Sequence, residues 1–465
     1  MNDFTISERA IAMSIGNLPQ GHSTRNVSAT TWKPGTDRLI SARTFILTKL
    51  HRVLGSLAAQ GFTTGINLLY GLLCVRLLPV EGYAKFSLIF AFQVSLSILI
   101  DVGTTSALAP LIGERIDDLQ LIADYVASLR QLSVRLFSVL APVTAIVFPL
   151  VVMKQHWSAK SVAFLVSMLL TFVWFARARG AYGAVLILRR HRSDWYRAPM
   201  IAGVAAVSLL LATWATHLLN EYVAIMISVG ANVCIAAAYY FRSRRVLGVT
   251  GEPSKQKRQA ILRLIMPSVP NLIFVAIQSQ ISLMLMGVFG RTSGIATVGA
   301  LTRLIQVFLL FSQLNIVLLE PYFAKLPAAR LKWHYLGAVV AAAGVGGGTV
   351  ILARIWPWLF LWVLGPKYAN LHAEVVLVMI FGAIYYLAGV IFCINTARRF
   401  VYWWSNVMVI VLTISVQALF LWKADLSTVR TVLVFNICSV LVTFTMAVLC
   451  GVYGFVSGPR QVEYA

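Results

Sequence analysis

The sequence predicts an all-α polytopic membrane protein, with about twelve transmembrane helices in two six-helix lobes. Three observations predict it. Of 465 residues, 59% are hydrophobic and only 12% charged, whereas soluble domains carry about 25% charged residues. Apolar runs long enough to cross about 30 Å of hydrocarbon follow one another at short intervals. The basic residues, finally, gather in alternate connectors between those runs.

Residues 1–45 are polar, rich in Gly, Pro, Ser and Asn, and show no helical period. They read as a disordered tail, too polar near Met1 for a signal peptide. Apolar spans are then expected at 53–75, 84–109, 134–153, 160–180, 197–217, 221–241, 263–288, 294–319, 335–353, 373–394, 403–422 and 429–454. The connectors are too short to fold independently. This divides the chain into an N-lobe (46–245), a basic linker (246–262), a C-lobe (263–456) and a short tail (457–465).

Net charge is +23, which in a soluble chain would suggest nucleic acid. Here the Lys and Arg residues follow the rule for membrane orientation instead, and no nucleic-acid partner is expected. Of the 39 Lys and Arg, nine fall on the side away from the N-terminus: Arg76, Lys85, Lys154, Lys160, Arg291, Arg354, Lys367, Lys423 and Arg430. Arg303 lies within a span, and the remainder are on the N-terminal side, with Arg177 and Arg179 near that end of span four. Both termini are therefore expected in the cytoplasm. Trp174, Trp356, Trp358, Trp362, Trp403 and Trp404 fall near the expected interfaces and suit an aromatic belt.

Five cysteines sit within apolar runs without a CxxC pair, so neither disulfides nor a metal site is indicated. There is no P-loop, GxSxG or HExxH motif, and no cofactor is implied.

Polar groups in spans are expensive in lipid and usually face a cavity or another helix. They concentrate here in spans 1, 2, 7 and 8. Gln60, Thr63 or Thr64, and Asn67 share one helical face; so do Gln93, Ser97, Asp101 and Thr105. Span 7 carries Asn271, Gln278 and Gln280, and span 8 carries Arg303, Gln306, Gln313 and Asn315. Arg52, Gln60 and Asn67 share their spacing with Arg263, Asn271 and Gln278. Six spans per half keep both halves in one orientation, so the repeat implies a pseudo-two-fold axis along the membrane normal. Spans 1, 2, 7 and 8 are thus expected to line one central polar cavity. Gln60, Asn67, Gln93, Asn271, Gln278, Gln306, Gln313 and Arg303 would contact substrate. Asp101, the acid deep within a span, is a candidate for ion coupling or for pairing with Arg303.

The run from Arg52 to Glu114 resembles the opening of polysaccharide flippases of the multidrug/oligosaccharidyl-lipid/polysaccharide exporter superfamily. The resemblance rests on Val75-Arg76-Leu77-Leu78-Pro79, then Glu81-Gly82-Tyr83, then Asp101-Val102-Gly103. The usual Gly before Pro79 is missing, and Gly82-Tyr83 reverses the usual order. Arg263-Leu264-Ile265-Met266-Pro267, Ala300-Leu301-Thr302-Arg303-Leu304 and Glu320-Pro321 look like the second half.

The resemblance implies a flippase in the bacterial inner membrane. Its substrate would be an oligosaccharide on undecaprenyl pyrophosphate, moved by alternating access for O-antigen or exopolysaccharide synthesis. Membrane lipids, a polymerase and export machinery would be its partners. Arg303 would meet the pyrophosphate, since guanidinium presents forked donors suited to phosphate. The alternatives are a multidrug exporter of the same superfamily and a membrane-embedded polysaccharide polymerase. The longest outer connector, near 354–372, lacks the catalytic acids a polymerase would need.

Overall fold

The computed structural model describes residues 55, 59–113, 115–189 and 191–457; the expected tails and Arg52 lie outside them. Every expected span coincides with helix. The first is α1, residues 59–77. After the turn at Pro79 come α2 (Val80–Asp101), α3 (Thr104–Ile112), α4 (Leu119–Val152), α5 (Ala159–Leu188), α6 (Arg192–Ala215) and α7 (Glu221–Leu247). The second half comprises α8 (Lys255–Ile265), α9 (Val269–Gln278), α10 (Ile281–Phe289), α11 (Thr292–Lys325) and α12 (Ala328–Ile355). It ends with α13 (Pro357–Leu364), α14 (His372–Ala397), α15 (Trp403–Lys423) and α16 (Val429–Ser457). Among the described residues nine helices are long and apolar enough to cross a membrane, or ten if α8 and α9 count as one bent span.

Helices α4, α6, α12 and α15 bury little of their surface within the protein. Ile146, Ile201, Val340 and Ile351 are all about 60% exposed or more, and side chains of that kind belong in hydrocarbon. Each lobe is organised around its fourth span. In the N-lobe α5 packs on α2, α4 and α7, with α6 against α7; in the C-lobe α14 packs on α11, α12 and α16, with α15 against α16. The correspondence is the internal repeat expected from the sequence.

Two spans expected to be continuous are broken. α2 stops at Asp101, and Val102 and Gly103 take left-handed backbone, φ 41° and 73°, before α3 begins. Asp101 accepts hydrogen bonds from the Thr105 amide (3.1 Å), the Thr105 hydroxyl and the Thr104 hydroxyl (3.2 Å). The Asp-Val-Gly run is therefore a capped break, its carboxylate satisfying α3's first donors. In the seventh span, α8 and α9 meet at 64° around Pro267 and Pro270, which cannot donate to a helical ladder.

The lobes meet at the end away from the basic connectors. α2 lies against α11, α9 and α10, and α10 also meets α4. A Cβ on Gly299 of α11 would stand 2.4 Å from the Ser87 hydroxyl of α2, so only glycine permits so close a crossing. Gln155, 8% exposed, donates to the carbonyls of Gly287 (2.9 Å) and Gly290 (3.0 Å) and accepts from Thr292 (2.8 Å). Lys367 donates to the carbonyls of Leu78 (2.6 Å) and Arg76 (2.9 Å). Arg76 in turn bonds the Trp362 carbonyl and lies 4.9 Å over its ring. At the basic end, α8 packs on α3 and α4 of the N-lobe and holds Asp124 through Lys257 at 2.6 Å. Arg258 of α8 also donates to Gln131, and the connector ahead of α8 donates from the Glu252 amide to Asp124 (2.9 Å) and from the Ser254 amide to the Ser128 hydroxyl (3.0 Å).

Candidate functional site: a cationic chamber in the N-lobe

A chamber of about 720 Å³ runs from the middle of the N-lobe toward its basic end. Its walls are the polar stripes of α1 and α2, namely Thr63, Asn67, Gln93, Ser97 and Asp101, with Thr105 of α3 and parts of α4 to α7. Gln93 is buried there with its amide nitrogen unpartnered. The C-lobe contributes one lining residue, Arg303.

Arg303 is 4% exposed. Its guanidinium carbon lies 4.1 Å from the Phe90 ring centroid and 5.9 Å from that of Phe86, an aromatic seat that favours a cation. Gly71 makes the room, since a Cβ there would fall 2.9 Å from that carbon. No carboxylate lies within 4 Å of Arg303 among the described residues. The expected pairing with Asp101 is not found. Phe90 and Asp101 are eleven positions apart on α2, about 16 Å along a helix axis, and the Asp101 oxygen serves the α3 cap.

Two further guanidinium groups line the chamber, both from α5: Arg177 and Arg179. Arg177 stacks 3.7 Å over Trp174 and has a buried, unpartnered Nε. Arg179 lies beside Tyr239, without a carboxylate within 4 Å among the described residues. The lining thus carries three arginines against one aspartate. An anion would be drawn in; an organic cation would be repelled.

The residues expected to line one four-helix cavity are divided in the structure. Asn67, Gln93, Asp101 and Arg303 come together in the N-lobe chamber, whereas Gln60, Asn271, Gln278 and Gln306 are not among its lining residues. Gln278 accepts from Gln417 at 2.7 Å, and Gln417 also reaches Ser439 at 3.3 Å. That amide joins α9, α15 and α16 inside the C-lobe, the usual office of polar groups between membrane helices. Asn271 and Gln306 are half-buried in their own helices, and the Gln313 side chain lies outside the described residues. The repeated spacing of the two halves gives the amides equal standing, yet Gln278 is bonded within the C-lobe. Arg177 and Arg179 were read from sequence as orientation charges because the span was ended at 180. Helix α5 continues to Leu188, and two unpaired cations inside its apolar run were the available signal.

No family model matches the sequence, and no curated protein matches it. Solved structures do. An inward-facing multidrug resistance MATE family transporter of the MOP superfamily superposes with TM-score 0.60 at 15% identity, over 85% of this chain and 94% of that one. The chain has a MATE-like fold. An outward-facing MATE transporter of that superfamily gives 0.50 at 16% identity, over 88% and 95%. A MOP transporter from Pyrococcus furiosus gives 0.51 at 15% identity, over 87% and 94%, and is described as having a binding pocket of reverse polarity that suggests a different function.

Proposed function

We propose that this protein is a transporter that flips a lipid-linked oligosaccharide, carried on undecaprenyl pyrophosphate, from the inner to the outer leaflet of the bacterial inner membrane by alternating access. The basic end is taken as cytoplasmic by the charge rule, so the chamber opens toward the leaflet where such a substrate is made. Membrane lipids surround it, and a polymerase and export machinery would receive its product. No covalent step is involved, and no catalytic group or cofactor is required.

One observation carries the reading. Arg303 is buried in the chamber with no carboxylate within 4 Å among the described residues, a placement that costs at least about 2.5–3.5 kcal/mol in a membrane. A substrate phosphate meeting the guanidinium offsets that cost by charge-assisted hydrogen bonds. The multidrug reading is supported by the MATE transporters named above. Against it, three arginines in the lining disfavour cationic drugs.

The test is rescue of surface polysaccharide in a flippase-null cell, with protein level and cationic-dye efflux measured in parallel. Arg303→Gln is expected to abolish rescue at normal abundance, and Arg303→Lys to keep part of it. The double variant with Asp101→Asn should stay inactive, because the two groups are not paired. Dye efflux without rescue would overturn the flippase reading and establish the multidrug one.

A further inference from the structure

Arg179 extends the chemistry of the chamber beyond one phosphate site. It is half-buried, lines the same cavity as Arg303, and donates no hydrogen bond among the described residues. Its donors are also absent from the sealed, unpartnered groups, and the residue is part of the chamber's lining. Its electrostatic neighbour is Tyr239, whose hydroxyl is already given to the Trp195 carbonyl at 2.6 Å. The one acid in the lining, Asp101, is committed to Thr104 and Thr105. A guanidinium in this position is an unfilled fork of donors facing a cavity.

Its level in the chamber matters. The adjacent Gly180 packs on the α2–α3 break, where a Cβ would stand 3.2 Å from the Thr105 hydroxyl and 3.9 Å from the Asp101 carboxylate. Arg303 sits at the level of Phe90. Asp101 and Phe90 are separated by about 16 Å along one straight helix, farther than the two phosphates of a diphosphate can span. The two arginines thus enter the chamber at different levels along α2. The two sites therefore call for two anionic groups set apart along one elongated ligand.

We propose that Arg179 is a specificity-determining residue that binds a second acidic group, a carboxylate or phosphoryl group on the sugar portion, while Arg303 holds the diphosphate. The inference rests on the flippase reading and names the class of oligosaccharide it takes: an acidic one. Arg177, stacked on Trp174, adds positive potential on the other side of α5.

The experiment measures binding to the full chain in lipid nanodiscs. The probes are two prenyl-diphosphate disaccharides differing in one residue, glucose in the first and glucuronate in the second. Wild type is expected to prefer the glucuronate probe by roughly tenfold to a hundredfold, the scale of one charge-assisted pair. Arg179→Gln should erase that preference without changing the neutral probe's affinity, Arg179→Lys should retain part of it, and Arg303→Gln should weaken both probes. A preference that survives Arg179→Gln, or an equal loss for both probes, would overturn the proposal while leaving the flippase reading intact. If wild type binds neither probe, the flippase reading falls and the proposal falls with it. Thermal stabilisation by free glucuronate or inorganic phosphate that needs Arg179, without lipid-probe binding, would assign the site to a soluble anion and overturn the lipid-linked form.

Discussion

Gln155 offers the sharpest test of how the lobes are held. Its amide makes three hydrogen bonds across the seam, one to the Gly287 carbonyl in α10, one to the Gly290 carbonyl of the α10–α11 connector and one from Thr292. Each is worth about 0.5–1.5 kcal/mol net, so Gln155→Ala should weaken closure at that end by about 1.5–4.5 kcal/mol. Because the alternative conformation loses nothing, the equilibrium between them should move roughly tenfold to a thousandfold toward opening. The readout is a cysteine at Ser87, which is 1% exposed against Gly299, in a background freed of the five native cysteines. A membrane-impermeant maleimide applied from outside should label it much faster when Gln155→Ala is present. Thr292→Val, which removes one bond, should give about a third of that free-energy effect. Unchanged labelling in Gln155→Ala, or an equal effect from Thr292→Val, would refute the assignment of Gln155 as the seam's main polar tie.

Other expectations follow from the same geometry. Reporter fusions after Lys154 and after Lys255 should report opposite sides of the membrane, since these residues lie at opposite ends of the lobe; same-side signals would be incompatible with the fold. Asp101→Asn should remain active, because asparagine also caps helices, whereas Asp101→Ala should cost about 0.5–2 kcal/mol, seen as lower thermal stability. Loss of transport in a stable Asp101→Asn would instead favour an ion-coupling role. Gly71→Val should displace the Arg303 guanidinium, whose carbon a mere Cβ would approach to 2.9 Å. Transport should fall at near-normal abundance, because a flexible side chain can swing aside where backbone could not.

How much of this was legible in sequence divides by physical cause. Span positions were legible, since apolar length alone sets them, and so was the inward face of α1 and α2, because Asn67, Gln93, Ser97 and Asp101 repeat at the helical period. The breaks were less so. Asp101-Val102-Gly103 was read as part of a motif in a continuous span, although a carboxylate ahead of two threonines is a capping signal. Tertiary partners were not legible at all. Nothing in the spacing of Gln278 distinguishes a cavity amide from one that accepts from Gln417, and nothing local says that Arg303 crosses into the opposite lobe.

The fastening of α8 has a consequence for the route by which the chain passes from one lobe to the other. That helix opens the second half in sequence, yet its Lys257–Asp124 pair and its packing on α3 and α4 attach it to the first. The slack that a linker of this length would provide is thereby taken up. What remains free between the moving bodies is the corner at residues 266–268, where α8 turns by 64° into α9. A covalent joint that short behaves as a pivot rather than a tether. It lets the lobes rock about the basic end but not drift apart, so their separation there is limited by the reach of one turn of backbone.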